Sequence, residues 1–131
     1  MIMNVKFNWD IIFESMRLYL IEELSRRCPK HDGELLNSID GKIIDNKLQI
    51  YMVDYALAVE FGSAPHWTSV DNLKKWAKDK LGDEKAAYAL QRHIAKFGTK
   101  PRPFIRETLE QEFTNILAKS LKTKGAVILE D

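Results

Sequence analysis

The chain of 131 residues holds a single cysteine, Cys28, so no internal disulfide can form. That excludes a disulfide scaffold and suits a reducing compartment such as a bacterial cytoplasm. Nothing beside Cys28 would activate its thiol, and Pro29 follows it, so the residue reads as structural. No apolar run approaches the roughly 18 residues of a membrane helix. No membrane association is expected. The segment "MIMNVKFNWD" reaches an acidic residue early and no A-x-A-like site follows it, so it does not read as a signal peptide. An excess of one charge is also missing. Twenty Lys plus Arg face 19 Asp plus Glu, for a formal charge of +1. A protein held to nucleic acid mainly through phosphates shows a clear basic excess, which leaves room here only for a local basic patch.

The usual marks of chemistry are sparse as well. Six glycines are scattered near turns and caps, and none builds a phosphate-cradling loop. No G-x-S-x-G elbow is present, and Ser63 follows a glycine without that context. The three histidines, His31, His66 and His93, lie dozens of residues apart, whereas metal ligands are commonly closely spaced. The reading is a protein with no catalytic residue, no metal and no cofactor.

What is present is an ordinary globular composition, 45% hydrophobic and 30% charged. Its length suits one domain over residues 1–121, followed by a flexible tail at 122–131. Trp9, Ile12, Phe13, Met16, Tyr19, Leu20 and Leu24 recur at helical steps and predict a long helix over 9–26, stopped by Pro29. "KIIDNKLQIYMV" reads as a hairpin turning at Asp45-Asn46, with Leu48, Ile50 and Met52 on one face. Residues 55–61 alternate like a strand, but their Ala and Glu content and Gly62 favour a short helix. Two helices follow, "TSVDNLKKWAKDKLG", with Thr68 and Asp71 as a capping box, and "DEKAAYALQRHIAKFG". Pro103 opens a closing helix. In the tail, Val127-Ile128-Leu129 reads as a docking strand or a frayed end. The sum is an α+β fold: a long N-terminal helix, a small antiparallel sheet with a β-hairpin, a helical midsection, and a C-terminal helix packed on the sheet.

Two stretches invite a functional reading. In "YALAVEFGSAPHW", Glu60 near His66 could be a raised-pKa acid in a hydrolase; the alternative is a buried carboxylate that satisfies nearby donors, and this is preferred. In "GTKPRPFIR", Lys96, Lys100, Arg102 and Arg106 surround a stiff bend that could touch DNA phosphates or an acidic partner. Trp67, Trp76, Phe97 and Phe104 sit at helix-compatible spacings and are expected in the core rather than on a base-stacking platform.

Three boxes in order give the chain a resemblance. They are Pro29, Gly33, Leu35, Ser38 and Ile39; then Tyr55, Ala56, Val59, Glu60, Phe61 and Gly62; then Arg102, Pro103 and Phe104. Over residues 10–121 this order resembles the head–tail joining (tail-completion, or neck) family of long-tailed bacteriophages, including minor tail components of lambdoid phages. Asp32 and Ser63 stand where that family more often has Thr, and residues 68–97 form a long insertion between the last two boxes. The resemblance implies a non-enzymatic α+β subunit of the virion neck, assembled in the host bacterial cytoplasm. It implies a self-associated ring, with a hexamer among its possible sizes. The ring would contact head-closure or adaptor proteins and tail-terminator proteins, and DNA would pass through without sequence specificity. Gly33, Leu35, Ser38, Tyr55, Ala56, Glu60, Gly62, Pro103 and Phe104 would shape the fold. Lys96, Lys100, Arg102 and Arg106 would face an interface or DNA. The alternative is a small nucleic-acid-binding module that uses the basic loop 96–106.

Overall fold

Asn8 opens the first helix. Its Oδ1 accepts from the Ile11 N–H at 3.3 Å and its carbonyl from the Ile12 N–H at 3.1 Å, so two helix-start donors find partners. Asp10 in the first turn and Arg26 and Arg27 in the last complement the helix dipole. The structure, a computed structural model, describes residues 1–29 and 33–130. His31 and Asp32 of the sequence reading lie outside the described residues.

In chain order the elements are β1 (Asn4–Phe7), α1 (Trp9–Arg27), α2 (Glu34–Ser38), β2 (Asp40–Ile44), β3 (Lys47–Tyr51), α3 (Ala56–Phe61), α4 (Val70–Leu81), α5 (Ala86–Phe97), α6 (Phe104–Leu121) and β4 (Val127–Glu130). The fold is α+β, as the pattern of elements predicts. Its strands form two separate antiparallel pairs, β1 with β4 and β2 with β3, where one small sheet is expected. Residues 1–121, read from sequence as one domain, are organised as two compact units that interleave along the chain. One comprises 1–27, 39–52 and the chain from 105 onward; the other comprises 28–38 and 53–104.

The first unit is built on α1. Ile12, Leu20 and Leu24 are buried on it, with Ile116 of α6. The β2–β3 hairpin turns at Asp45 and Asn46, whose φ values of 51° and 59° are the left-handed pair that a tight hairpin needs. Its register, Gly41 opposite Ile50 and Ile43 opposite Leu48, leaves Gln49 and Tyr51 exposed on the other face. At Gly41 the backbone comes so close to its neighbours that a Cβ would lie 2.8 Å from Ile50 Cδ1 and 3.2 Å from Arg17 Cγ. Leu20 and Leu24 of α1, Ile50 and Met52, and Ile105 and Leu109 of α6 together line a small apolar recess of about 220 Å³. Ion pairs frame the same unit. Arg27 bridges Glu23 at 2.8 Å and Glu112 at 3.0 Å. The residues read as a flexible tail contribute β4, which pairs with β1 from Asn4–Glu130 to Phe7–Val127.

The second unit contains α2, α3 and a helical hairpin made by α4 and α5. Ser69 caps α4 by accepting from the Asp71 N–H at 3.3 Å, so the cap lies one residue beyond the expected Thr68. Gly82 ends α4 in the left-handed region and donates to the Lys78 carbonyl at 3.0 Å. Asp83 Oδ1 accepts from the Lys85 N–H at 2.9 Å, just ahead of α5. Ala77 and Ala87 are fully buried, and their small side chains suit close helix approach.

Candidate functional site

Two five-residue stretches meet in the second unit. Phe61-Gly62-Ser63-Ala64-Pro65 leaves α3, and Phe97-Gly98-Thr99-Lys100-Pro101 leaves α5. Both follow the pattern Phe-Gly-Ser/Thr-x-Pro, which a search for long repeats passes over. Gly62 has φ 74° and ψ 179°; Gly98 has φ 75° and ψ −159°. This region of backbone space is open essentially only to glycine. Ser63 and Thr99 then pair as an antiparallel bridge. The two glycines allow the chains to touch: a Cβ at Gly98 would stand 2.0 Å from the Ser63 carbonyl oxygen, and one at Gly62 would stand 2.6 Å from that of Thr99.

Other box residues are held within the same unit. The Arg102 N–H donates to the Val59 carbonyl at 2.8 Å, so the approach to the third box is tied to the second. Phe104 is buried. In the first box, Gly33 takes φ 74° and its carbonyl accepts from the Asn37 N–H at 2.9 Å. Leu35 is buried. Ser38 Oγ donates to the Leu35 carbonyl at 2.7 Å and accepts from the Val53 N–H at 3.1 Å, linking the first box to the chain that enters the second. Tyr55 Oη reaches Glu34 Oε2 at 3.4 Å. Ala56 and Glu60 are buried on α3.

A cleft of about 1080 Å³ opens in the same unit. Val59, Leu73, Leu90, Ile94 and Phe97 supply apolar lining, and His66 and His93 both reach it although 27 residues separate them in sequence. His66 Nδ1 lies 2.9 Å from the Ala64 carbonyl, which can only accept, so Nδ1 carries the proton in that contact. The His93 ring meets the Phe97 ring at 4.9 Å. Glu60 is not among the residues that line the cleft, whereas His66 is exposed there. Among the described residues, no group of three or more His, Cys, Asp or Glu side chains is arranged to hold a metal ion.

The basic residues divide between the units. Lys96, Lys100 and Arg102 belong to the second and are exposed; Arg106 belongs to the first and lies 4.0 Å from Glu110. Lys96 Nζ sits 5.2 Å from the centre of the Phe97 ring. Neither Lys100 nor Arg102 enters an ion pair among the described residues. The aromatic expectation needs correction. Of the four residues expected in the core, Phe104 is buried and Trp76 half-buried, but Trp67 and Phe97 are 69% and 61% exposed; Phe61, outside that expectation, is 70% exposed. Phe61 and Phe97 are the last residues of their helices, where a core-facing stripe runs out, and Trp67 lies outside any helix.

No helix among the described residues is long and apolar enough to cross a membrane. Comparisons with protein-family models, with curated proteins and with solved structures find no match for this chain.

Proposed function

We propose that this chain is a structural subunit of a bacteriophage head–tail connector, of the neck or tail-completion type. It assembles as a ring at the virion neck, and DNA passes through the ring. One observation carries the reading. Residues of three boxes far apart in sequence, all but Ile39 lying in one unit, serve its architecture through the Ser38 hydroxyl, the Gly62 and Gly98 approach, and the Arg102–Val59 bond. Residues spent on backbone geometry in this way suit a building block. The exposed aromatics Phe61, Trp67 and Phe97 add to it, since apolar groups left in solvent mark surfaces for association.

Ring closure requires two different patches per subunit, joined head to tail. The partners would be further copies of the chain, with head-closure or adaptor and tail-terminator proteins on either side. Assembly would take place in the host bacterial cytoplasm. Light scattering on the purified chain across a wide concentration range tests the reading. A concentration-dependent shift to a closed oligomer is expected, and open, unlimited polymers would count against it.

The exposure of Lys100 and Arg102 also favours a second reading, a small module that grips nucleic acid through this bend. It requires DNA affinity that falls steeply with salt and drops when both residues become Ala. Binding without that dependence removes it.

A further inference from the structure

The outer side of α5 is basic with no acid among its residues. Residues 85–104 carry five Lys or Arg and no Asp or Glu, in a chain whose totals are 20 against 19. All five cations lie in the second unit and are exposed, and none enters an ion pair among the described residues. Lys85 stands at the N-cap of α5, and Arg92 and Lys96 follow at helical steps, so the three share one face along about 16 Å of helix. Ala87 and Ile94 are buried on the other face. Lys100 and Arg102 carry the charge onto the bend that follows. Asp83 and Glu84 precede the strip, and Glu60 is buried on α3. Of the two carboxylates that line the cleft, Asp71 Oδ1 pairs with Lys74 at 3.2 Å, and Glu34 Oε2 accepts from Tyr55 Oη at 3.4 Å.

Exposed aromatic rings adjoin the same strip. Tyr88 and Phe97 belong to α5 itself. The His66 N–H donates to the Ile94 carbonyl at 3.3 Å, which holds the next residue, Trp67, beside the last turn of α5. Gly62 comes so close to Pro101 that a Cβ would stand 2.9 Å from its nitrogen, so Phe61 lies beside the loop between Lys100 and Arg102. A helix lying in a membrane surface segregates cations from its apolar face, whereas here they are interleaved. Flat rings among cations fit a strand whose bases are free to stack; a duplex keeps its bases stacked on one another. We infer that this strip binds single-stranded nucleic acid, with Lys85, Arg92, Lys96, Lys100 and Arg102 on its phosphates and Phe97 and Trp67 on its bases. Binding tolerates any sequence, because every base offers a π face. The inference rests on the second reading above and extends that grip from the bend along α5.

Fluorescence anisotropy of the full chain tests it, with a labelled oligothymidylate of about 20 nucleotides, the matching oligouridylate and a duplex of the same length as probes. Single strands should bind at least about tenfold more tightly than the duplex, and binding of either sugar supports the inference. Contacts from the five cations predict a log–log salt slope of about −3.5. Lys85→Ala, Arg92→Ala and Lys96→Ala in one chain, all at exposed positions, should reduce its magnitude by about 2. Phe97→Leu and Trp67→Leu keep apolar bulk but remove the ring, and each should weaken binding about fivefold or more, while Phe97→Trp should retain it. Circular dichroism of each variant checks that it is folded. Loss of affinity on Lys100→Ala with Arg102→Ala, but none on the α5 triple or the Leu variants, confines the contact to the bend. That result overturns the inference and leaves the second reading standing. Equal affinity for duplex and single strand does the same. Absence of binding to every probe at low salt removes the inference and the second reading together, as does sedimentation with anionic phosphatidylglycerol vesicles by a chain that binds no oligonucleotide.

Discussion

Ser63 and Thr99 hold each other through both backbone and side chain. The Ser63 N–H donates to the Thr99 carbonyl at 3.1 Å, the Thr99 N–H returns to the Ser63 carbonyl at 3.0 Å, and the two hydroxyls lie 2.6 Å apart. The α4–α5 hairpin therefore leaves and rejoins the chain at one point. The segment that reads from sequence as a long insertion between two boxes is a closed excursion.

The glycines beside that bridge should be unforgiving. Gly98→Ala puts a Cβ against the Ser63 carbonyl oxygen in a backbone region closed to L-residues, and should cost about 3 kcal/mol or more. Gly82→Ala is the control. Its φ of 68° is also left-handed, but no atom lies within 4 Å of the added Cβ. The strain alone should cost about 1–2 kcal/mol. Urea denaturation of the two variants checks the order, and equal losses would contradict the close approach.

Ser38→Ala removes the acceptor of the Val53 N–H and the donor to the Leu35 carbonyl at one stroke. Loss of about 1–2 kcal/mol is expected, because part-buried backbone groups are left without their partner. Amide exchange gives the sharper check: the Val53 amide should lose protection in the variant and keep it in the wild type.

Acid should weaken the first unit in a defined way. The Arg27 guanidinium, and then the Asn115 amide, hold the Glu112 carboxyl below its ordinary range. The Gly41 N–H, then Tyr51 and Arg17, do the same for Asp40. A carboxyl with a depressed folded pKa contributes stability above its unfolded pKa and loses it as pH falls through the folded value. Stability should therefore decline from about pH 5 downward. Glu112→Gln should start lower and decline less steeply over that range, measured by urea midpoints at each pH. An unchanged slope would show that the Arg27 contact does not depress the carboxyl.

Much of this architecture is legible in the sequence because its causes are local. Asp45-Asn46 tolerates a left-handed turn, so the hairpin can be read directly, and α1, α4, α5 and α6 follow from apolar periodicity with glycine and proline stops. The misses have non-local causes. Val5 and Leu129 pair across almost the whole chain, and neither short strand carries a signal that names its partner. The match between "FGSAP" and "FGTKP" spans too few residues to register as a repeat, and its meaning lies in a contact between loops. Helical spacing places Phe97 and Trp67 near apolar stripes, but cannot say that one ends its helix and the other lies beyond any helix. Likewise, nothing in the spacing of His66 and His93 foretells that one cleft receives both.

The claim that matters most is self-assembly into a closed annulus, and negative-stain imaging of the concentrated chain addresses it most directly. Class averages should reveal rings of uniform subunit number around an open centre wide enough for a DNA duplex. Discrete monomers at every concentration, or two-fold dimers with no passage through them, would contradict it.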